Sequence, residues 1–115
     1  MQIITLTTDW GLSDQFLGQV KGLLYSTIND VIVVDISHKL HKYDVNSSAF
    51  VVKNSCLNFP EGTIHIIDVN SYEDKNTSFI VVKAKGQYYI CTDNGLPSLV
   101  FNGLEREITT INLYS

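Results

Sequence analysis

Apolar residues in this chain occur in short runs separated by polar segments. The runs at 2–8, 31–36 and 63–69 are rich in Ile, Val and Thr, which is typical of β-strands. The second run is continuously apolar, which predicts a strand covered on both faces. Residues 14–28 carry apolar side chains at spacings of three and four, which predicts a helix with one buried face, and 44–58 has the pattern of a second helix. This order of elements predicts two βαβ units.

The second half of the chain predicts antiparallel pairing. Residues 79–84 and 87–92 have the pattern of a hairpin, Pro97 suits the first turn of a short helix, and residues 107–113 predict a last strand. The predicted fold class is α/β: a three-layer, mostly parallel, Rossmann-like doubly wound sheet with an antiparallel hairpin. The length of the chain suits a single domain, residues 1–115.

Composition narrows the possible classes of function. A net charge of −4 argues against a surface that binds nucleic acid. No apolar run approaches the length of a membrane span, so we expect no membrane partner. Cys56 and Cys91 lie in apolar surroundings, which predicts buried thiols in a reducing cytoplasm. His38 and His41 have no partners at metal-ligand spacing, so no metal is expected.

Polar side chains follow the predicted strands, at 9–14, 37–44, 68–76 and 92–94. In a parallel sheet the first three of these loops meet at the carboxyl edge, where ligands bind. Carboxylates there suit ribose hydroxyls, amines or cations but repel a pyrophosphate, and the chain has no glycine-rich phosphate loop. The residues expected at this edge are Asp9, Asp14, Ser37, His38, Tyr43, Asp44, Asp68, Asn70 and Lys75.

Several of these residues also have purely structural interpretations. Asp14 suits the start of a helix because of the helix dipole, and Asp44 has the position of an N-cap. His65, on a strand, is best interpreted as a hydrogen-bonded structural histidine. Trp10 and Tyr43 are aromatic residues on loops, where they suit stacking against a flat ring.

Six segments, taken together and in order, point to a known family: ITLTTDWG, DQFLGQVKG, VVDISH, KYDVNSSA, NFPEGTIHI and TDNGL. The chain resembles the amino-terminal domain of the S-adenosylmethionine hydroxide adenosyltransferases, relatives of the fluorinase and chlorinase enzymes. The resemblance implies cleavage of S-adenosylmethionine at the ribose C5′ by water or halide, with no cofactor, in a homotrimer. It also implies a further β-barrel domain that this chain does not contain, so we expect a fragment that is inactive alone.

The resemblance also implies roles for individual residues. Asp9 is expected to bind the ribose hydroxyls, and Asp14 the ammonium group of the methionine moiety. Tyr43 stands where the family places an aromatic ring over the ligand. Trp10 and Asn94 are expected to contact the ligand as well.

The predicted water-binding loop departs from the family pattern. In hydrolytic members an Asp-Pro-Gly-Val-Gly segment begins at the fifth residue beyond a His, and an Arg lies seven residues beyond the Asp. An ungapped count from His65 reaches Asn70 and then Thr77, whereas a two-residue deletion reaches Asp68 with Lys75 seven beyond it. The candidate catalytic residues are therefore Asp68, Asn70 and Lys75. Hydrolysis to adenosine and methionine is the main hypothesis, with ligand binding without catalysis and halide-dependent transfer as alternatives.

Overall fold

A computed structural model describes most of the chain, namely residues 1–11, 15–40, 44–69, 79–92 and 95–111. Its elements are β1 (Gln2–Thr8), α1 (Gln15–Thr27), β2 (Val31–Ser37), α2 (Val45–Ser55), β3 (Ile64–Asp68), β4 (Phe79–Ala84), β5 (Gln87–Thr92), α3 (Leu96–Val100) and β6 (Glu107–Ile111). None of the helices in the described part is long and apolar enough to cross a membrane.

The six strands form one sheet in the order β2-β1-β3-β5-β4-β6. β1 pairs in parallel with β2 and β3, and β3 pairs in parallel with β5. β4 runs antiparallel to both of its neighbours. The predicted α/β class and the hairpin are confirmed. Because β5 is parallel to β3, and β6 and β5 both run antiparallel to β4, the ends of β5 and β6 also lie at the carboxyl edge, so five described strands end there rather than three.

Local capping explains where two helices begin. Asp44 caps α2, since its carboxylate accepts a hydrogen bond from the backbone N–H of Ser47 at 3.0 Å, which confirms the predicted N-cap. Pro97 lies in the first turn of α3, also as predicted. The helix predicted to end at residue 58 ends at Ser55, where the chain turns toward Pro60.

One face of the sheet carries the hydrophobic core, and we call it the core face. Strand alternation places Thr5, His65 and Tyr89 side by side on it, because they are register partners across β1, β3 and β5. Cys56, which follows α2, packs here and is completely buried. Burial raises the pKa of its thiol to about 11. Cys91 is buried too, and the two cysteines form no disulfide, as predicted.

The prediction that His65 is a structural histidine is confirmed on the core face. Its Nδ1 lies 2.6 Å from the Thr5 hydroxyl, and its Nε2 lies 2.5 Å from the Gln87 amide oxygen. The other end of that amide donates to the carbonyl of Leu57 at 2.7 Å. All three polar side chains are buried and hydrogen-bonded, so this network satisfies its own polar atoms inside the core.

The opposite face, which we call the α1 face, is covered much less completely. No described residue of α1 is buried, and Phe16 and Leu23 remain 46% and 68% exposed. The prediction that the apolar side of this helix is buried is therefore wrong. The prediction that β2 is covered on both faces is also wrong, since β2 is an edge strand without a buried residue. An amphipathic pattern indicates which side of an element is apolar, but not whether other elements cover it.

Candidate functional site

The turn after β1 is tied to the strand ends on either side of it. The backbone N–H of Asp9 donates to the carbonyl of Asp68, which ends β3, at 3.3 Å. The N–H of Gly11 donates to the carbonyl of His38, which follows β2, at 2.7 Å. Gly11 has a φ of +80°, a conformation that favours glycine. These bonds fix the Asp9-Trp10-Gly11 turn at the centre of the carboxyl edge.

Trp10 connects this turn to three neighbouring residues. Its indole Nε1–H donates to Asp68 Oδ2 at 3.1 Å. The ring of Phe16, from α1, meets it edge-on at 4.9 Å, and the His38 ring lies nearly parallel to it at 6.1 Å. Asp9, Trp10 and Asp68 are three of the predicted site residues, and the structure brings them together.

His38 occupies the space between β1 and β2 and is almost completely buried. Its Nε2 lies 2.6 Å from Asp35 Oδ1, and its Nδ1 lies 2.5 Å from the Thr8 hydroxyl. The second oxygen of Asp35 forms an ion pair with Lys21, from α1. Burial alone raises the pKa of Asp35, but the hydrogen bonds from His38 and Lys21 outweigh it and hold the pKa below its ordinary value.

A β-bulge explains why Asp35 and His38 can meet. In a regular strand, residues three apart point to opposite faces. Here Leu6 pairs with Asp35 but the next residue, Thr7, pairs with Ser37, so Ile36 has no partner on β1. The extra residue brings His38 alongside Thr8, on the face that carries Asp35. The sequence predicts His38 at the edge without a specific role, and the Asp-x-x-His spacing at the end of a strand is the signal that points to its partner.

The remaining predicted site residues are placed less completely. Ser37 lies at the edge, where its hydroxyl accepts the N–H of Lys39 at 3.2 Å, so it caps its own turn. Five predicted ligand-binding or catalytic residues lie outside the described residues: Asp14, Tyr43, Asn70, Lys75 and Asn94. His41 lies outside them as well.

The described part of the edge is suited to a ligand with hydroxyl groups or positive charge. Asp9 and Asp68 contribute carboxylates to it, and carboxylates attract cations and accept hydrogen bonds from hydroxyls. Among the described residues, no three His, Cys, Asp or Glu side chains are grouped as metal ligands. A cavity of about 340 Å³ lies at the opposite edge, lined by both Lys83 and Glu107, and it contains none of the predicted site residues.

Known proteins of similar sequence belong to one family. Residues 4–114 match the family model described as SAM hydroxide adenosyltransferase N-terminal domain. The chain is 30% identical over 115 residues to the (R)-S-adenosyl-L-methionine hydrolase of Methanocaldococcus jannaschii, covering 94% of this chain and 43% of that protein. It is 39% identical over 62 residues to the fluorinase of Nocardia brasiliensis, covering 54% of this chain and 21% of that enzyme.

A solved structure supports the fold. The crystal structure of a conserved hypothetical protein from Thermus thermophilus superposes with a TM-score of 0.84 at 22% identity, covering 97% of this chain and 47% of that one. At this identity the likeness concerns the fold alone. The chain spans less than half the length of each of these proteins.

Proposed function

The chain belongs to the S-adenosylmethionine hydroxide adenosyltransferase family, and on that premise we propose that the protein carrying it hydrolyses S-adenosylmethionine to adenosine and methionine. The observation that carries the proposal is the joining of Asp9, Trp10 and Asp68 at one edge of the sheet. This edge offers carboxylates to a substrate that carries a sulfonium, an ammonium group and a ribose diol. The hydrolase relative, aligned over 94% of the chain, favours water as the attacking group.

The proposed reaction is a displacement at the ribose C5′. The oxygen of water forms a bond to C5′ while the bond from C5′ to sulfur breaks, and the electron pair of that bond stays on sulfur. Methionine leaves as a neutral thioether, so the leaving group needs no acid, and the proton of water passes to a carboxylate or to solvent. Since methionine leaves as a neutral thioether and no electrons are exchanged with a third partner, the proposed reaction needs neither a metal to stabilise the leaving group nor a redox cofactor, and we propose that it uses neither.

The residues divide into two proposed groups. Asp9 binds the ribose hydroxyls through its two acceptor oxygens, and Trp10 forms part of the wall beside it. Asp68 orients and deprotonates the attacking water through its carboxylate. Three further residues are proposed to contact the ligand: Asp14, Tyr43 and Asn94. Two further residues are proposed to belong to the water-binding group: Asn70 and Lys75.

A second candidate function is binding of S-adenosylmethionine or adenosine without catalysis. It is favoured by the loop after β3, which lacks the Asp-Pro-Gly-Val-Gly sequence of hydrolytic members and has Thr77 where the ungapped count expects Arg. It is also favoured by Asp68, one oxygen of which already accepts a hydrogen bond from Trp10.

The test is incubation of the whole protein that carries this chain with S-adenosylmethionine in water enriched in heavy oxygen. We expect labelled adenosine and unlabelled methionine in equal amounts. Asp9→Asn should weaken binding about tenfold or more, the effect of losing a hydrogen bond to a charged group. Asp68→Asn should lower turnover more than it lowers affinity, since its proposed contact is with water.

Asp30→Asn is the matched control, because Asp30 is an exposed carboxylate at the opposite edge that pairs with the amino terminus. It should bind and turn over substrate as the unmodified protein does. Calorimetric binding of S-adenosylmethionine without turnover would support the second candidate. A 5′-halogenated product formed only with added halide would instead identify a halide-dependent transferase. Absence of both binding and turnover would overturn the proposal.

We also propose that the protein is cytoplasmic and forms a homotrimer. Two buried thiols without a disulfide are in keeping with a reducing compartment. The trimer rests on the family resemblance, and light scattering of the whole protein measures it directly.

A further inference from the structure

We propose that His38 is a positioning residue, which places the Asp9-Trp10-Gly11 turn by holding the hydroxyl of Thr8. Asp35 holds the imidazole ring through a hydrogen bond, and Lys21 holds Asp35 through an ion pair. The inference deepens the proposed function, since it rests on that function for the identity of the ligand that the turn contacts. The hydrogen bonds themselves are independent of any ligand.

The donors and acceptors along this path are consistent with one another when the His38 ring is neutral. A carboxylate can only accept, so His38 Nε2 carries a hydrogen and donates it to Asp35. In the neutral ring Nδ1 is then an acceptor, and the Thr8 hydroxyl donates to it. The oxygen of that hydroxyl in turn accepts the backbone N–H of Trp10 at 3.2 Å. The Asp35 carboxylate on β2 is thereby connected, through His38 and Thr8, to the backbone of the proposed site.

The three side chains also fit the pattern of a catalytic triad, but their burial assigns a different role. Thr8 has no exposed surface, and its hydroxyl already has partners for both its hydrogen and its oxygen. A nucleophile must reach its substrate, and this hydroxyl cannot do so without giving up both bonds. The path therefore orients the turn and does not attack a ligand.

Asp9 lies in the backbone between the two ends of this path. Thr8 precedes it and Trp10 follows it, so a displacement of Trp10 relative to Thr8 moves the carboxylate of Asp9. Displacements of about 1 Å at a binding group are enough to reduce catalysis strongly. His38 therefore acts on the ligand only through the turn, and this is what distinguishes it from a catalytic residue.

Two conservative replacements of His38 separate positioning from packing. Asparagine can place its amide oxygen near the position of Nδ1 and still accept from Thr8, but it is too short to reach Asp35. Glutamine, closer to histidine in volume, places its amide near the position of Nε2 and leaves Thr8 without its acceptor. A positioning role therefore favours His38→Asn, and a packing role favours His38→Gln.

The readout is hydrogen exchange of the Trp10 backbone amide in the 115-residue chain, measured by NMR without ligand. We expect His38→Gln to accelerate this exchange roughly two- to tenfold, the equivalent of one hydrogen bond, and His38→Asn to change it less than about twofold. The amide of Tyr88, bonded to Thr63 at the opposite edge, is the internal control and should stay unchanged. Equal effects of the two variants, or the reverse order, would overturn the proposal.

A second pair of variants guards against loss of folding in the first. Thr8→Ser keeps the hydroxyl and should keep slow exchange at Trp10, whereas Thr8→Val removes it and should accelerate exchange roughly two- to tenfold. Unchanged exchange in Thr8→Val would overturn the positioning role. Failure of the unmodified whole protein to bind S-adenosylmethionine would overturn the proposed function instead, and would leave the exchange result standing as support for the positioning role.

Discussion

The two faces of the sheet each contain a buried histidine held in nearly the same way. On the core face, His65 lies between the hydroxyl of Thr5 and the amide oxygen of Gln87. On the α1 face, His38 lies between the hydroxyl of Thr8 and the carboxylate of Asp35. Both rings use Nδ1 toward a threonine of β1 and Nε2 toward a side-chain oxygen. The same local solution therefore serves both faces.

The difference lies in what surrounds each ring. Gln87 is neutral and buried, and its amide also bonds to the backbone carbonyl of Leu57. Asp35 is charged and 37% exposed, and it pairs with a helix that has no buried residue. The network around His65 is closed, in the sense that its polar side chains are buried and bonded only within the core, and it contributes mainly to stability. The network around His38 ends at the backbone of the proposed site, so its geometry matters for the turn.

The largest expected effect comes from removing each ring in turn. His65→Ala leaves a cavity and strands the buried groups of Thr5 and Gln87, which should lower the free energy of unfolding by about 3 kcal/mol or more. His38→Ala should cost about 1–2 kcal/mol, because water can reach Asp35 in place of the ring. Urea unfolding of both variants measures the contrast. Equal losses would mean that the two networks are equally closed.

The pH dependence of stability should separate the two faces. Burial lowers the pKa of His65 below its ordinary value, despite the opposing effect of the hydrogen bond that His65 donates to the Gln87 amide oxygen. The unfolded chain then binds more protons than the folded one, so stability should fall as the pH drops below about 6.5, by at most about 1.4 kcal/mol per pH unit for this group. Urea unfolding from about pH 8 to about pH 5 measures this slope, which His65→Asn should remove.

Asp35 should affect the free energy of unfolding at lower pH than His65 does. Because its folded pKa is held below the ordinary value, its contribution is present above that value and is lost only as the pH falls through the folded pKa. Asp35→Asn should therefore leave the slope from about pH 8 to about pH 5 unchanged. A reduced slope in that variant would show that the faces are coupled.

The smallest expected effect concerns the ion pair on the α1 face. Lys21→Met removes a partner of Asp35, but both side chains are about one-third exposed, so the free energy of unfolding should change by less than about 1 kcal/mol. Lys53→Met, on α2, is the matched control. Thermal unfolding of the two variants at low and high salt measures the difference, and a loss several times larger in Lys21→Met would show that α1 depends on this pair.

Local signals were sufficient to predict much of the fold. The hairpin, the cap at Asp44 and the turn that begins at Asp9 each depend on neighbouring residues, and each is present. The sequence contains the Asp-x-x-His spacing, but the contact of His38 with Thr8 was out of reach, because Thr8 lies thirty residues away and meets His38 only through the pairing of β1 with β2. The covering of α1 was overestimated for a related reason, since its apolar pattern contains no information about neighbouring elements.

The bulge in β2 means that the proposed site depends on the pairing register of β2 with β1 as well as on the chemistry of its residues. If Ile36 paired with Thr7 in a regular strand, Ser37 would lie opposite Thr8 and His38 would lie one position out of step with it. Exchanging side chains one at a time along β2 would leave this feature intact and therefore unseen. In engineering terms, the pairing register of this strand end is a design parameter separate from its composition.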